Sequence, residues 1–159
     1  MIRAIPLLLA LLLSAAAASA QQAVGFGAGQ FDRSAPVEVA ADSLEVDQAS
    51  GRAVLTGNVV VAQDAMRLSA DRVEVLYAGE GAARRIDRVV ATGDVIIVAG
   101  DDAAEGREAV YELGSGRIRM AGDVLVTQGG TTLAGDRLSV DLTTGSGTVT
   151  GRVRTTLQP

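Results

Sequence analysis

The sequence predicts an all-β protein, a curled sheet of roughly 14 to 16 short antiparallel strands built from four repeats. Three observations predict it: one segment recurs four times, apolar residues alternate within each copy, and a glycine interrupts that alternation at the same place every time.

The chain begins with Arg3, an apolar run over residues 5–13 and small residues ending Ala18-Ser19-Ala20. That order is a secretory signal peptide cleaved before Gln21, so residues 1–20 are expected to be removed. The run is shorter than the roughly 20 apolar residues a membrane-spanning helix needs. Residues 21–35, rich in glycine, read as a flexible lead-in. Residues 36–157 carry the repeats and read as one domain.

The four copies begin at Ala41-Asp42-Ser43-Leu44-Glu45-Val46, Ala70-Asp71-Arg72-Val73-Glu74-Val75, Gly106-Arg107-Glu108-Ala109-Val110-Tyr111 and Gly135-Asp136-Arg137-Leu138-Ser139-Val140. Each leads to a glycine: Gly57, Gly93, Gly122 and Gly151. The spacing to that glycine is 16 positions in the first, third and fourth copies and 23 in the second, whose seven extra residues read as a longer loop around Gly79 to Arg85. A loop absorbs an insertion at little cost, as a structural repeat requires.

Around each glycine the apolar residues fall on every second position: Ala53, Leu55, Val59 and Val61; Val89, Ala91, Val95 and Ile97; Ile118, Met120, Val124 and Val126. The fourth copy weakens to Gly147, Val149, Val153 and Thr155. A period of two with one apolar face is a half-buried strand. The first two copies also carry Val54, Val60, Val90 and Ile96 on the other face, which predicts a cover there. A glycine on the apolar face in mid-strand marks a bend or bulge. Turn-forming runs such as Gln48-Ala49-Ser50-Gly51 and Thr144-Gly145-Ser146-Gly147 separate the strands.

Composition excludes much chemistry. With no cysteine and no histidine, disulfides, thiolate metal sites, cysteine nucleophiles and histidine bases are absent. The net charge of −5, with arginines dispersed, offers no nucleic-acid footprint. Two Phe, two Tyr and no Trp leave no stacking platform for bases or sugars. Gly25-Phe26-Gly27-Ala28-Gly29 lacks the strand and helix a nucleotide loop needs. Asp101, Asp102 and Glu105 could hold calcium but read as a solvated acidic turn. Arg84, Arg85 and Arg88 could meet lipid phosphates, or be a solvated charged loop. No catalytic residue, cofactor or metal ligand is expected, and an enzyme is the weakest class of function.

The apolar face has two possible uses: it closes as an ordinary core, or it shelters something greasy. Built from Val, Leu, Ile, Ala and Met without Phe or Trp, it would underfill a wide lumen. The lipid-facing candidates are Val37, Leu44, Val46, Leu55, Val59, Val61, Val73, Val75, Val95, Ile97, Tyr111, Ile118, Met120, Val124, Val126, Leu138 and Val140. The alternative is a periplasmic structural β-repeat protein with a sealed core and no lipid cargo.

The runs Pro36-Val37-Glu38-Val39-Ala40-Ala41-Asp42-Ser43-Leu44, Ala53-Val54-Leu55-Thr56-Gly57-Asn58-Val59-Val60-Val61, Leu68-Ser69-Ala70-Asp71-Arg72-Val73, Ala109-Val110-Tyr111-Glu112-Leu113 and Gly135-Asp136-Arg137-Leu138 resemble the OstA-like domain family. That family comprises LptA proteins, LptC and the N-terminal domain of LptD. A cleavable signal followed by this domain alone resembles the LptA type. The resemblance implies a twisted, V-shaped β-jellyroll in the periplasm. It also implies lipopolysaccharide as cargo, an LptC-like protein at one edge, an LptD-like protein at the other, and edge-to-edge self-association. It places lipid-facing or interface residues at Val37 and Val95. Tyr77 stands where the family often has a basic residue.

Overall fold

A computed structural model describes residues 22–27, 32 and 34–158; the predicted signal peptide lies outside the described residues. The strands are β1 (Gln22–Gly25), β2 (Val37–Ala40), β3 (Ser43–Asp47), β4 (Arg52–Gln63), β5 (Met66–Ala78), β6 (Arg85–Ala99), β7 (Asp102–Glu112), β8 (Arg117–Gln128), β9 (Thr131–Asp141), β10 (Ser146–Thr150) and β11 (Arg154–Leu157). They form one antiparallel sheet in the order β1-β10-β9-β8-β7-β6-β5-β4-β2, with β3 also on β4 and β11 also on β9. From β3 to β10 each strand pairs with the next in sequence through a short hairpin, whereas β2 and β3 both lie on β4 and β10 and β11 both lie on β9.

Eleven strands replace the expected 14 to 16 among the described residues, because Gly57, Gly93 and Gly122 bend strands without ending them, and Gly151 alone separates two strands, β10 and β11. The β4–β5 ladder skips from Thr56 to Val59, β6–β7 from Thr92 to Val95, and β8–β9 from Ala121 to Val124. Each gap is a glycine and its successor, both left-handed: φ is 81° and 46° at Gly57 and Asn58, 80° and 42° at Gly93 and Asp94, and 85° and 50° at Gly122 and Asp123; Gly151 and Arg152, between β10 and β11, repeat the pair at 80° and 45°. Glycine takes that conformation without steric cost, and Asn and Asp tolerate it. Space enforces it as well. A Cβ on Gly57, Gly93 or Gly151 would run into the side chain of Asp42, Asp71 or Asp136, and one on Gly122 would lie 2.8 Å from the Arg107 Cβ. The same corner residues pair across the bend, Asn58 Nδ2 donating to Asp42 at 2.9 Å and Arg152 Nε to Asp136 at 3.1 Å, while Arg107 pairs with Asp123.

The corners fold the sheet into an open jellyroll of two half-sheets. One ends in β2 and β11, the other in β3 and β1, the latter paired on β10, and their inner faces share one apolar core. Val59, Val73, Ala91, Val95, Val126 and Val149 are wholly buried in it. On the outer face Val54 is buried at 9% exposure and Val60 and Val90 are half-buried, whereas Ile96 is 39% exposed, so the cover expected over that face reaches the first copy's Val54 and is absent at Ile96.

Two further expectations change. Most of the seven extra residues of the second copy lengthen the arms of the β5–β6 hairpin to Ala78↔Arg85, with a register shift at Leu76/Tyr77; a short 3-10 turn, Gly81–Ala83, completes the loop. Within the predicted lead-in, residues 22–25 are a strand on β10 and Phe26 is 1% exposed, because β10 would otherwise present a bare edge to solvent.

Two hairpin turns are closed by aspartates. Asp47 Oδ1 accepts the Ala49 N–H at 2.9 Å and its other oxygen the Ser50 hydroxyl at 2.7 Å; Asp141 Oδ1 accepts the Thr143 N–H at 2.8 Å. The Ser50 hydroxyl lowers the Asp47 pKa foremost, and the Thr143 N–H lowers that of Asp141. A depressed carboxylate contributes stability above its unfolded pKa of about 3.9 and loses it as pH falls through the lower folded value. The thermal midpoint is therefore expected to drop below about pH 4, and to drop less steeply in an Asp47→Asn/Asp141→Asn variant, by thermal unfolding at stepped pH. An identical slope in the two proteins would assign the acid lability elsewhere.

Candidate functional site: the apolar inner face

Alternation along each strand sends every second side chain to the inner face, and the corners preserve that phase through each bend. The inner face therefore runs unbroken from β2 and β3 at one end to β10 and β11 at the other. The predicted lipid-facing residues all lie on it, but in three different settings.

Val59, Val73, Val95, Ile97, Ile118, Met120, Val124, Val126, Leu138 and Val140 are at most 2% exposed, and Leu55 and Val75 are buried nearly as fully. In this middle stretch the half-sheets close on each other, and the interior is packed. Val61 and Tyr111 are partly buried against the same core. Val37, Leu44 and Val46 differ: they are 41%, 61% and 58% exposed. Their phase is inward, since Leu44 pairs with Leu55 and Val46 with Ala53. They are wet because β2 and β3 are terminal strands with no further strand beside them among the described residues. The groove is thus open at the β2–β3 end and packed in its middle.

Val39 belongs to this open end and was not among the predicted residues; it pairs with Val61 and is 46% exposed. Its alternation with Val37 was the signal that could have found it. Val24 and Phe26, buried at the other end, were also missed, because nothing local marks a short Gly-flanked segment as core.

Two of the charged groups weighed from the sequence, Arg84 and Asp102, hold structural contacts, and Arg85, Arg88 and Asp101 are exposed. Arg84 donates to the Gln48 carbonyl at 3.0 Å and ties two neighbouring turns together. Asp102 Oδ2 accepts the Gly27 N–H at 3.0 Å, whereas Glu105 sits exposed opposite Ile96. Gly25 lies in a strand and Phe26 in the core, so this part of the glycine-rich run is no phosphate loop. Among the described residues no buried side-chain polar atom lacks a hydrogen-bond partner.

Comparison with known proteins agrees with this geometry. Residues 38–146 match the family described as LptA/(LptD N-terminal domain) LPS transport protein. A protein of Rhizobium meliloti (strain 1021), itself uncharacterized, is 30% identical over 139 residues, spanning 82% of this chain and 75% of its own. Among solved structures, the fold is similar to the crystal structure of LptH from Pseudomonas aeruginosa, described as the LptA homologous periplasmic component of the lipopolysaccharide transport device. The TM-score is 0.70 at 24% identity, over 80% of this chain and 99% of that one.

Proposed function

The chain belongs to the LptA/(LptD N-terminal domain) family of LPS transport proteins, and from that premise we propose that it is a periplasmic bridge protein. It moves lipopolysaccharide from the inner toward the outer membrane by shielding the acyl chains on its apolar inner face. The observation that carries this reading is the exposure of inward-phase Val37, Val39, Leu44 and Val46 at an unpaired strand edge. A monomer that ended there would leave an aggregation-prone edge and a wet apolar surface together. A neighbouring chain of the same architecture would pair with the edge and prolong the groove in one step. An LptC-like protein at one end and an LptD-like protein at the other, or a second copy, meets that requirement.

Energetics favour a shielding role without chemistry. At about 0.8 kcal/mol per buried methylene, an acyl chain of about 14 carbons gains on the order of 10 kcal/mol on full burial. Partial burial therefore holds a chain in transit while leaving release fast. Transport on this scheme needs no catalytic residue in this chain.

The packed middle of the groove favours a second reading, a structural repeat protein with a sealed core. Photo-crosslinking to radiolabelled lipopolysaccharide separates the two, with probes at Leu44 and at the deeply buried Val95 and a control at outward-facing Arg119. Labelling at both inner sites and not at Arg119 is the expected result for the bridge. No labelling at either inner site would leave the sealed structural protein.

A further inference from the structure

The two ends of the groove are not equivalent. The β2–β3 end is open, but the β10 end is filled by the chain's own N-terminal segment. β1 adds to the β10 edge in register Gln22↔Val149 to Gly25↔Ser146, and the Phe26 N–H continues the ladder to the Gly145 carbonyl at 3.1 Å. One residue later the chain reaches the other half-sheet, where the Gly27 N–H donates to Asp102 Oδ2 at 3.0 Å. Gly27 has φ +61°, and a Cβ there would lie 3.0 Å from the Ala99 Cβ. Residues 22–27 thus strap one half-sheet to the other, with Phe26, 1% exposed, seated inside.

The fourth repeat is shaped for this segment. The inner-face position held by Ala53, Val89 and Ile118 in the first three copies is Gly147 in the fourth. A Cβ on Gly147 would lie 2.8 Å from Val24 Cγ2. Val24, 7% exposed, supplies the side chain that the repeat lacks. The weakening of the apolar pattern in the last copy is therefore a vacancy that residues 22–27 complete.

We propose that residues 22–27 are a displaceable plug: they occupy the β10 edge and the inner face beside it until an acyl chain takes the place of Val24 and Phe26. This rests on the lipid-carrying reading and adds to it a closed state of the free protein. Such a plug keeps the apolar interior dry before loading, and confines the open end to β2–β3.

The chain has no cysteine and no tryptophan, which makes two clean tests. Ala23 faces Thr148, and the Phe26–Gly145 bond places this pair at a non-hydrogen-bonded position, where Cα atoms stand about 4.5 Å apart, within disulfide range. In full-length Ala23→Cys/Thr148→Cys protein, oxidation is expected to form the bond and to cut lipopolysaccharide labelling from a Val95 probe about tenfold relative to the reduced form. In Phe26→Trp protein, emission should be that of a buried indole and shift to the red on adding lipopolysaccharide. Equal labelling in the oxidised and reduced forms overturns the plug and leaves the lipid reading intact, as does a solvent-exposed indole before lipid is added. A disulfide that fails to form overturns the β1–β10 placement itself. No labelling from either Leu44 or Val95 in the reduced form overturns both.

Discussion

Gly93→Ala is expected to destabilise the protein by about 2–5 kcal/mol, the sum of a left-handed penalty of roughly 1–2 kcal/mol and a collision of about 1–3 kcal/mol. The new Cβ would sit 2.8 Å from the Asp71 Cβ and 2.9 Å from its carboxyl carbon, at φ +80°. Against a total stability of typically 5–15 kcal/mol, that is enough to leave a sizeable unfolded fraction. The corner joins the two arms of β6, so neither half-sheet can relax without the other. Denaturant unfolding checks the size of the loss. Adding Asp71→Gly removes the collision but not the backbone strain, so the double variant should recover about 1–3 kcal/mol relative to additivity. Strict additivity would mean that the aspartate side chain is not what excludes a Cβ here.

Leu44→Asp combined with Val39→Asp should do the opposite: abolish lipid capture and leave the fold standing. Both side chains are inward in phase yet 61% and 46% exposed, so little core is lost when they become charged. The change instead places two carboxylates on the apolar surface where, in the proposed bridge, an acyl chain first meets the protein. Desolvating even one unpaired carboxylate costs several kcal/mol, which outweighs the partial burial of a chain there. Lipopolysaccharide labelling from a Val95 probe is expected to fall by more than about tenfold, with the thermal midpoint unchanged within the few degrees typical of exposed substitutions. A large drop in the midpoint would show that the β2–β3 end is part of the folding core. Unchanged labelling would show that acyl chains reach the interior elsewhere.

These two variants mark where sequence reasoning carries and where it stops. Gly93 announces itself: four glycines at matching places in four copies, each breaking an apolar alternation, require a repeated bend whatever the fold. The inner-face residues follow from the same period, and every predicted lipid-facing position lies on that face. What period cannot distinguish is Leu44 from Leu138. Both occupy inward positions in matching segments of their repeats, yet one is 61% exposed and the other 2%. The difference is made by neighbours: Leu138 lies on β9, between β8 and β10, whereas Leu44 lies on β3, which pairs with β4 alone.

By itself, then, the sequence determined the all-β class, the repeat, the corners and the phase of the inner face, because each follows from steric and hydrophobic rules acting within about a dozen residues. Only the tertiary structure decided how many strands those rules yield, which end of the groove is wet, and that residues 22–27 close the far end. Val24 and Phe26 are buried because they meet Gly147 and Gly145, more than 100 residues away along the chain. A contact of that range leaves no periodic trace, since the side chain that completes the fourth repeat is supplied from outside it.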